Sequence, residues 1–460
     1  MKNNYFNFKQ WKDKMLLTNE QGRYILLGKR DFLNLVNKRY DLLSKEILQT
    51  LKDRFFIYDI DEDVFIEKVA NAYRDNKQYL FSATSLHIFV MTNAFNMCCV
   101  YCQAQDSAQE KKGKMQEMTA KAAVDIALQS PNEYLTFEFQ GGEPLLNFET
   151  IKYIVEYSEQ NKNHKQIQYS LVTNTLLLNE EMIQFFKKYD VSISTSLDGC
   201  KEVHNSKIDG DGTYDYVSRN IKWLQSNDIQ VGAIETTTKI SLKNAEKIIE
   251  TYHNLGLNHL FIRPLTPLGY AKEHWAEIGY EPEEFLKFYK QCILILLEHN
   301  RNGIRMSEGH ARIFLKKILT GYSENYMELR SPCGAGIGQM AYYYDGNIYT
   351  CDEGRMVAEM GDQMFCLGNV NYSTYDDLME NRVCKVTCQA SVLESLPGCC
   401  DCVYHPYCGV CPVISYASDN SIYTRESNVY RCKIYKGILD ILFEILLEEP
   451  GAEDILKAWI

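Results

Sequence analysis

Leu135-Thr136-Phe137-Glu138-Phe139-Gln140-Gly141-Gly142-Glu143-Pro144-Leu145-Leu146-Asn147-Phe148 is the stretch whose reading decides the fold. It opens with an apolar and aromatic run of strand length and turns at a glycine pair. From Phe148 to residue 158, apolar residues then recur at helical spacing. A strand, a tight loop and a helix in that order make one βα unit.

The same alternation extends on both sides. Strand-length runs at 86–90, 135–139, 167–172, 191–194, 231–234 and 260–262 are separated by helical patterns near 120–128, 148–158, 179–188, 214–226 and 242–255. Six βα units in series predict an α/β protein with a parallel sheet curled into a partial (β/α)6 TIM-like barrel. In such sheets the chemistry sits at the carboxyl ends of the strands. The unusual loops fall there: Thr92 to Cys102 after the first strand, Gly141-Gly142-Glu143-Pro144 after the second, Thr173-Asn174-Thr175 after the third and Ser196-Leu197-Asp198-Gly199 after the fourth.

At 460 residues the chain has room for several domains. We expect a small α+β N-terminal module over 1–84 and the barrel with connecting helices over 85–320. A cysteine-rich domain over 321–435 and a C-terminal helix over 436–460 complete the division. The stretch 281–320 shows no obvious chemistry. A hydrophobic fraction of 45% and a charged fraction of 24% are those of a globular protein. A formal charge of −12 argues against a nucleic-acid partner, whose phosphates the average surface field repels. The first residues lack the apolar core of a secretion signal, and no long uninterrupted apolar run follows, so we expect no membrane association and a cytoplasmic location.

In a reducing compartment sixteen cysteines are metal ligands or buried thiols before they are disulfides. The loop after the first strand reads Thr92-Asn93-Ala94-Phe95-Asn96-Met97-Cys98-Cys99-Val100-Tyr101-Cys102. It resembles the radical S-adenosylmethionine (SAM) family, whose three loop cysteines hold a [4Fe–4S] cluster with one iron open to the cofactor. By that resemblance Cys99 and Cys102 are the second and third ligands and Tyr101 is the loop aromatic. The first ligand position holds Phe95, which cannot bind iron. Either the cluster is lost, or a substitute such as Cys98 holds it, or the chain differs from active relatives by one change. Gly141, Gly142 and Glu143 resemble the family's Gly-Gly-Glu-Pro element, where glycine lets the backbone approach a ligand and the carboxylate accepts from the methionyl ammonium. Asn174 and Ser196 match later cofactor-contacting loops, and Arg263 could face cofactor or substrate or form an ion pair.

Seven cysteines in the last third follow a second pattern. Cys333 is followed by twelve residues, Gly346, four residues and Cys351; then come Cys399, Cys402, Cys408 and Cys411, and later Cys432. This resembles the SPASM domain and its two auxiliary [4Fe–4S] clusters. One would be held by Cys399, Cys402, Cys408 and Cys432, the other by Cys333, Cys351 and Cys411 with an open iron. The two residues between Cys408 and Cys411 depart from the usual three. Paired Cys-x2-Cys spacings also suit structural zinc, although that reading leaves Cys333, Cys351 and Cys432 without a role. Cys200, Cys292, Cys366, Cys384, Cys388 and Cys400 read as small hydrophobes or neutral thiols.

Whole phrases, among them Phe137 to Phe148 of the opening stretch, Ser194 to Gly199, Arg263-Pro264-Leu265 and Gly361-Asp362 to Val370, resemble the radical maturases of the His-Xaa-Ser peptide system. The resemblance implies a radical SAM/SPASM maturase that cross-links or oxidises a ribosomally made peptide or protein through a 5′-deoxyadenosyl radical. Its partners would be a precursor peptide, bound by the N-terminal module, and an external electron donor such as flavodoxin or ferredoxin. Two alternatives stay open: a catalytically impaired homologue that still binds peptide, and a formylglycine-forming enzyme of the anaerobic sulfatase-maturating type.

Overall fold

The computed structural model describes residues 1–104, 112–210, 212–323, 325–424 and 429–460. The chain opens with three antiparallel strands, β1 (Asn7–Trp11), β2 (Lys14–Thr18) and β3 (Tyr24–Gly28), followed by helices Lys29–Val36, Lys45–Asp53 and Glu62–Asn76. Leu17, Ile25, Leu27, Leu35 and Leu51 form a small core of their own. Trp11 and Leu16 instead enter the main core, beside Tyr404, Tyr407 and Phe443.

The central sheet follows. Its strands are β4 (Leu86–Val90), β5 (Tyr134–Gln140), β6 (Gln166–Val172), β7 (Ser192–Ser196), β8 (Val231–Thr236), β9 (His259–Arg263), β10 (Ser307–Glu308), β11 (Gln339–Tyr342), β12 (Asn347–Tyr349) and β13 (Cys366–Asn369). They lie in the order β10-β9-β8-β7-β6-β5-β4-β11-β12-β13. From β4 to β10 every neighbour is parallel and sequential, as one-handed crossovers with intervening helices produce. Along β5 the residues Leu135, Phe137 and Phe139 are buried against Ile151, Ile154 and Val155 of the following helix. Thr136, Glu138 and Gln140 take the opposite face, by the period of two. That inner face is polar: Ser170 and Gln140 both donate to the Glu138 carboxylate.

The six expected strands are present, and the sheet is larger than expected. β10 lies inside the stretch read as connecting helices without chemistry. Two residues are too few to show a period, and a buried carboxylate, Glu308, replaces the usual apolar residue. Glu308 accepts from Ile262 N (3.1 Å), Ala311 N (2.7 Å) and Tyr289 OH (2.5 Å). β11 pairs in parallel with β4, and β12 and β13 continue as an antiparallel meander. The cysteine-rich region therefore shares a sheet with the barrel. The closing helix, Tyr430–Glu448, begins six residues before the expected 436 and packs on Pro282–Arg301. No helix among the described residues is long and apolar enough to cross a membrane.

Candidate active site and metal centres

The loop after β4 is held from two sides. Gly142 N donates to Thr92 O (2.7 Å) and Glu143 N to Ala94 O (2.8 Å), so the loop after β5 lies backbone to backbone on the cysteine loop. A Cβ on Gly142 would stand 2.1 Å from Ala94 O and 3.0 Å from the Phe95 ring, and one on Gly141 2.4 Å from Thr92 O. These glycines make room for the neighbouring loop and, at Gly142, for the Phe95 ring. Glu143 is also occupied within the protein. Its carboxylate accepts from Thr173 Oγ1 (2.7 Å), Leu145 N (3.0 Å) and Asn174 N (3.0 Å), tying the loops after β5 and β6 together. Burial pushes the Glu143 carboxyl above its usual range despite these bonds. Asn174 Nδ2 reaches Asn96 Oδ1 at 2.7 Å and closes the ring of loops. Ser196 ends β7, half-buried.

Cys98 and Cys99 form a short ribbon antiparallel to residues 208 and 209. Adjacent residues on such a ribbon point to opposite faces, which separates Cys98 from Cys99. Cys99 is driven well above an ordinary thiol pKa by burial, then by Cys102 and Asp198. Tyr101 OH donates to Asp198 Oδ2 at 3.0 Å. The donor set of this loop is therefore two thiols near one another, with Phe95 in the place of the third. It falls one ligand short of the family's cluster.

Behind this loop lies a buried charge group of which only Asp198 falls in a loop that the sequence singles out. Lys207 Nζ stands 3.1 Å from Glu235 Oε1 and 3.5 Å from Asp198 Oδ1, and donates to Thr236 O at 2.5 Å. Asp198 also accepts from Thr236 N (3.0 Å) and sits 3.4 Å from His204 Nδ1. Burial works to raise the Asp198 carboxyl, but Lys207 and His204 outweigh it and hold it below the usual range. Asp198 thereby anchors Tyr101. Lys207 and Glu235 lie outside every phrase that could have marked them.

In the cysteine-rich region Cys399, Cys402, Cys408 and Cys432 line one cavity of about 670 Å³ including its mouth, together with His405 and Tyr435. Burial raises the Cys408 thiol to about 12 and Cys399 to about 11, and in each case the other thiols of this group add to the rise. Cys333, Cys351 and Cys411 are buried together with Phe365, Val413 and Ile414. Cys351 caps helix Asp352–Glu359, its Sγ accepting from Gly354 N at 3.3 Å, and Cys411 caps helix Pro412–Asp419, which packs against the first. Two helix N-termini thus meet at these thiols, but burial outweighs them and pushes the Cys351 and Cys411 thiols well up. Among the described residues no three His, Cys, Asp or Glu side chains converge on a single-ion site. Four thiols set around a cavity suit a cluster in which each binds its own iron better than a tetrahedral zinc.

Between the barrel and the cysteine-rich region is a second cavity, about 480 Å³ including its mouth, lined by Gln103, Arg263, His310, Glu353, Arg431 and Tyr435 among others. Arg263 Nη2 lies 3.6 Å from Glu328 Oε1 and 3.8 Å from Glu353 Oε1, so the arginine at the end of β9 is an ion-pair centre. Arg431 hydrogen-bonds the same Glu328 and donates to Tyr435 OH at 2.9 Å. Gln103 adjoins Cys102, Glu353 lies two residues past Cys351, and Arg431 adjoins Cys432, so one cavity touches the surroundings of all three cysteine groups.

A parallel sheet with a cysteine loop after its first strand and a glycine loop after its second defines a radical SAM domain, and residues 89–255 match the family model for the Radical SAM superfamily. Residues 89–255 are thus a radical SAM domain, and the cysteine-rich region that follows shares the fold of its SPASM-type structural neighbours. The chain is 26% identical over 377 residues to a cysteine-type anaerobic sulfatase-maturating enzyme of Clostridium perfringens, covering 79% of this chain and 97% of that one. Among solved structures it resembles native anSMEcpe with bound AdoMet and Kp18Cys peptide (TM-score 0.69, 23% identity, 81% of this chain and 99% of that one). It also resembles Streptococcus suis SuiB bound to precursor peptide SuiA (TM-score 0.58, 15% identity, 94% and 99%).

Proposed function

We propose that this protein modifies a peptide or protein substrate held in the cavity between barrel and cysteine-rich region. One observation carries the proposal: a single cavity is bordered by Gln103 from the barrel loop and by Glu353 and Arg431 from the two auxiliary cysteine groups. A [4Fe–4S] cluster and SAM, were they held at this loop by Cys99 and Cys102, would supply radical chemistry suited to an unactivated carbon. The chain's own residues do the positioning. Asp198, fixed by Lys207, orients Tyr101 and with it the Cys99-to-Cys102 turn. Glu143 and Asn174 lock the loops around the SAM site to which we assign Tyr101, Gly141, Gly142, Glu143, Asn174 and Ser196. Cys399, Cys402, Cys408 and Cys432 would hold one auxiliary cluster and Cys333, Cys351 and Cys411 the other, with electrons arriving from a flavodoxin or ferredoxin. Native anSMEcpe holds the Kp18Cys peptide and SuiB the precursor peptide SuiA in their structures, and the N-terminal α+β unit is our candidate for precursor recognition.

A second assignment, a peptide-binding homologue without radical turnover, is favoured by Phe95, whose ring packs on Gly142 where the family has its first thiolate. Anaerobic reconstitution with iron and sulfide separates the two. Wild type that binds three [4Fe–4S] clusters and releases 5′-deoxyadenosine under dithionite is an enzyme. Two clusters and no release, with both restored in Phe95→Cys, identify the impaired homologue. Iron near zero with bound zinc overturns both. Mass spectra of a His-Xaa-Ser repeat peptide and a cysteine-containing sulfatase peptide after turnover then separate cross-linking from formylglycine formation; the 26%-identical Clostridium relative, a sulfatase-maturating enzyme, supports including the sulfatase peptide.

A further inference from the structure

The barrel interior has a second opening, at the end of the strands away from the cysteine loop. Ser194 of β7 pairs with Gly232 of β8, and His259 of β9 with Ser307 of β10, while the β8–β9 register sets Gly232 beside His259. All four line one cavity, so they form a single inward-facing row. Closed barrels fill such rows with bulky branched side chains. This row reads Ser, Gly, His and Ser, and a Cβ on Gly232 would meet no atom within 4 Å. The cavity so left measures about 970 Å³ including its mouth, and it shares no lining residue with the one beside Glu353 and Arg431. Phe261 and Tyr326, whose rings stack 6.2 Å apart, line this cavity, and the Tyr326 hydroxyl donates to Glu328 of the other at 3.1 Å.

Arg312, on the helix Gly309–Thr320, lines this cavity and no described carboxylate does, in a chain whose acidic residues outnumber its basic ones by 61 to 49. Among the described residues its guanidinium has no hydrogen-bond or ion-pair partner, and Nε is shut off from solvent without one. A polar atom buried without a partner carries a desolvation cost that a bound anion would offset. We infer that this end of the barrel binds an organic carboxylate with an apolar body, held by Arg312. The planar guanidinium fork matches the two oxygens of a carboxylate. Further donors stand around it. Arg330 occupies the side-chain oxygen of Asn325, which leaves the amide N–H groups, and His259 Nδ1 and Ser307 Oγ share a bond of 2.7 Å in the row that holds Ser194. Burial and the Arg312 charge hold the His259 imidazole below its ordinary pKa, so it stays neutral at pH 7 and the positive charge is that of Arg312. Ile234, Phe261 and Ile313 make the remaining wall apolar, which suits a hydrocarbon or aromatic body better than a bare inorganic anion.

The test titrates the reconstituted full-length protein with hydrocinnamate and with its neutral amide, hydrocinnamamide, by isothermal calorimetry. Wild type should bind the acid in the millimolar range or tighter, and the amide at least about tenfold more weakly. Arg312→Gln should lose that preference while keeping the wild-type melting temperature in ligand-free buffer. Gly232→Leu, whose side chain enters the empty space, should weaken both ligands. No binding of the acid, equal binding of acid and amide, or an unchanged preference in Arg312→Gln overturns the inference. A melting temperature several degrees lower in that variant would show Arg312 partnered within the protein, and overturns it as well. A short peptide ending in phenylalanine, with free and amidated C-termini, then separates the two sources of such a carboxylate. Free peptide that binds tighter than hydrocinnamate assigns the site to a chain terminus, and weaker binding assigns it to a small free acid.

Discussion

The site depends on contacts that leave no room for one more atom. Gly142→Ala drives a Cβ onto Ala94 O at 2.1 Å and onto the Phe95 ring, and because the first of these is backbone the two loops must separate. We expect a loss of about 1–3 kcal/mol, as for overpacked cores, together with weaker SAM binding. A denaturation midpoint unchanged from wild type would contradict the backbone-to-backbone loop contact. Lys207 is the other critical residue. It is 1% exposed and faces two carboxylates, so Lys207→Met leaves Asp198 and Glu235 without their cation. Breaking a buried ion pair from one side costs about 3–5 kcal/mol. Tyr101 would lose its fixed partner as well, and urea unfolding of the metal-free protein, alongside SAM titration, measures both effects.

At the scale of elements, the N-terminal unit is braced against the cysteine-rich loop. Asn7 of β1 donates to the carbonyls of Cys400 (2.9 Å) and Cys402 (3.1 Å), and Thr18 of β2 donates to Val403 O (2.6 Å). Asn7→Ala strands two carbonyls beside two of the assigned ligands, at a cost of about 1–3 kcal/mol. Chelators should then strip auxiliary iron faster than from wild type, a rate read directly from absorbance. A second brace is pH-dependent. Burial works to raise the Glu394 carboxyl, but Lys77 and Tyr73 outweigh it and hold its pKa at about 2, below its ordinary 4.5. A carboxyl depressed in the folded state contributes stability that is present above the unfolded pKa and is lost as pH falls through the folded one. The stability gap between metal-free wild type and Glu394→Gln should therefore be full near pH 6 and shrink between pH 4.5 and about 2. A gap constant with pH would mean that the Lys77 pair contributes nothing.

At the scale of the whole molecule, β11 pairs with β4, so the cysteine-rich region and the barrel unfold as one sheet. Ligands bound only by the native state raise its stability by mass action. Cluster loading should accordingly shift a single cooperative transition upward, and calorimetry showing an iron-sensitive peak beside an insensitive one would refute the shared sheet.

The amino-acid sequence by itself determined the alternation of six strands with helices, the placing of every unusual loop at one sheet end, and the two cysteine patterns. These are local or periodic properties, written in apolar spacing and in residue types that only certain chemistry requires. Tertiary structure alone decided the rest. β10 is two residues long, too short for any period, and β11 joins a strand some 250 residues away in the chain. Lys207 and Glu235 are ordinary surface letters until the fold encloses them. The same holds for the cysteine loop noted at the start of the chain's first βα unit. Its missing thiolate was visible as Phe95, but that Gly142 lies open beneath the ring follows only from the packing of distant segments.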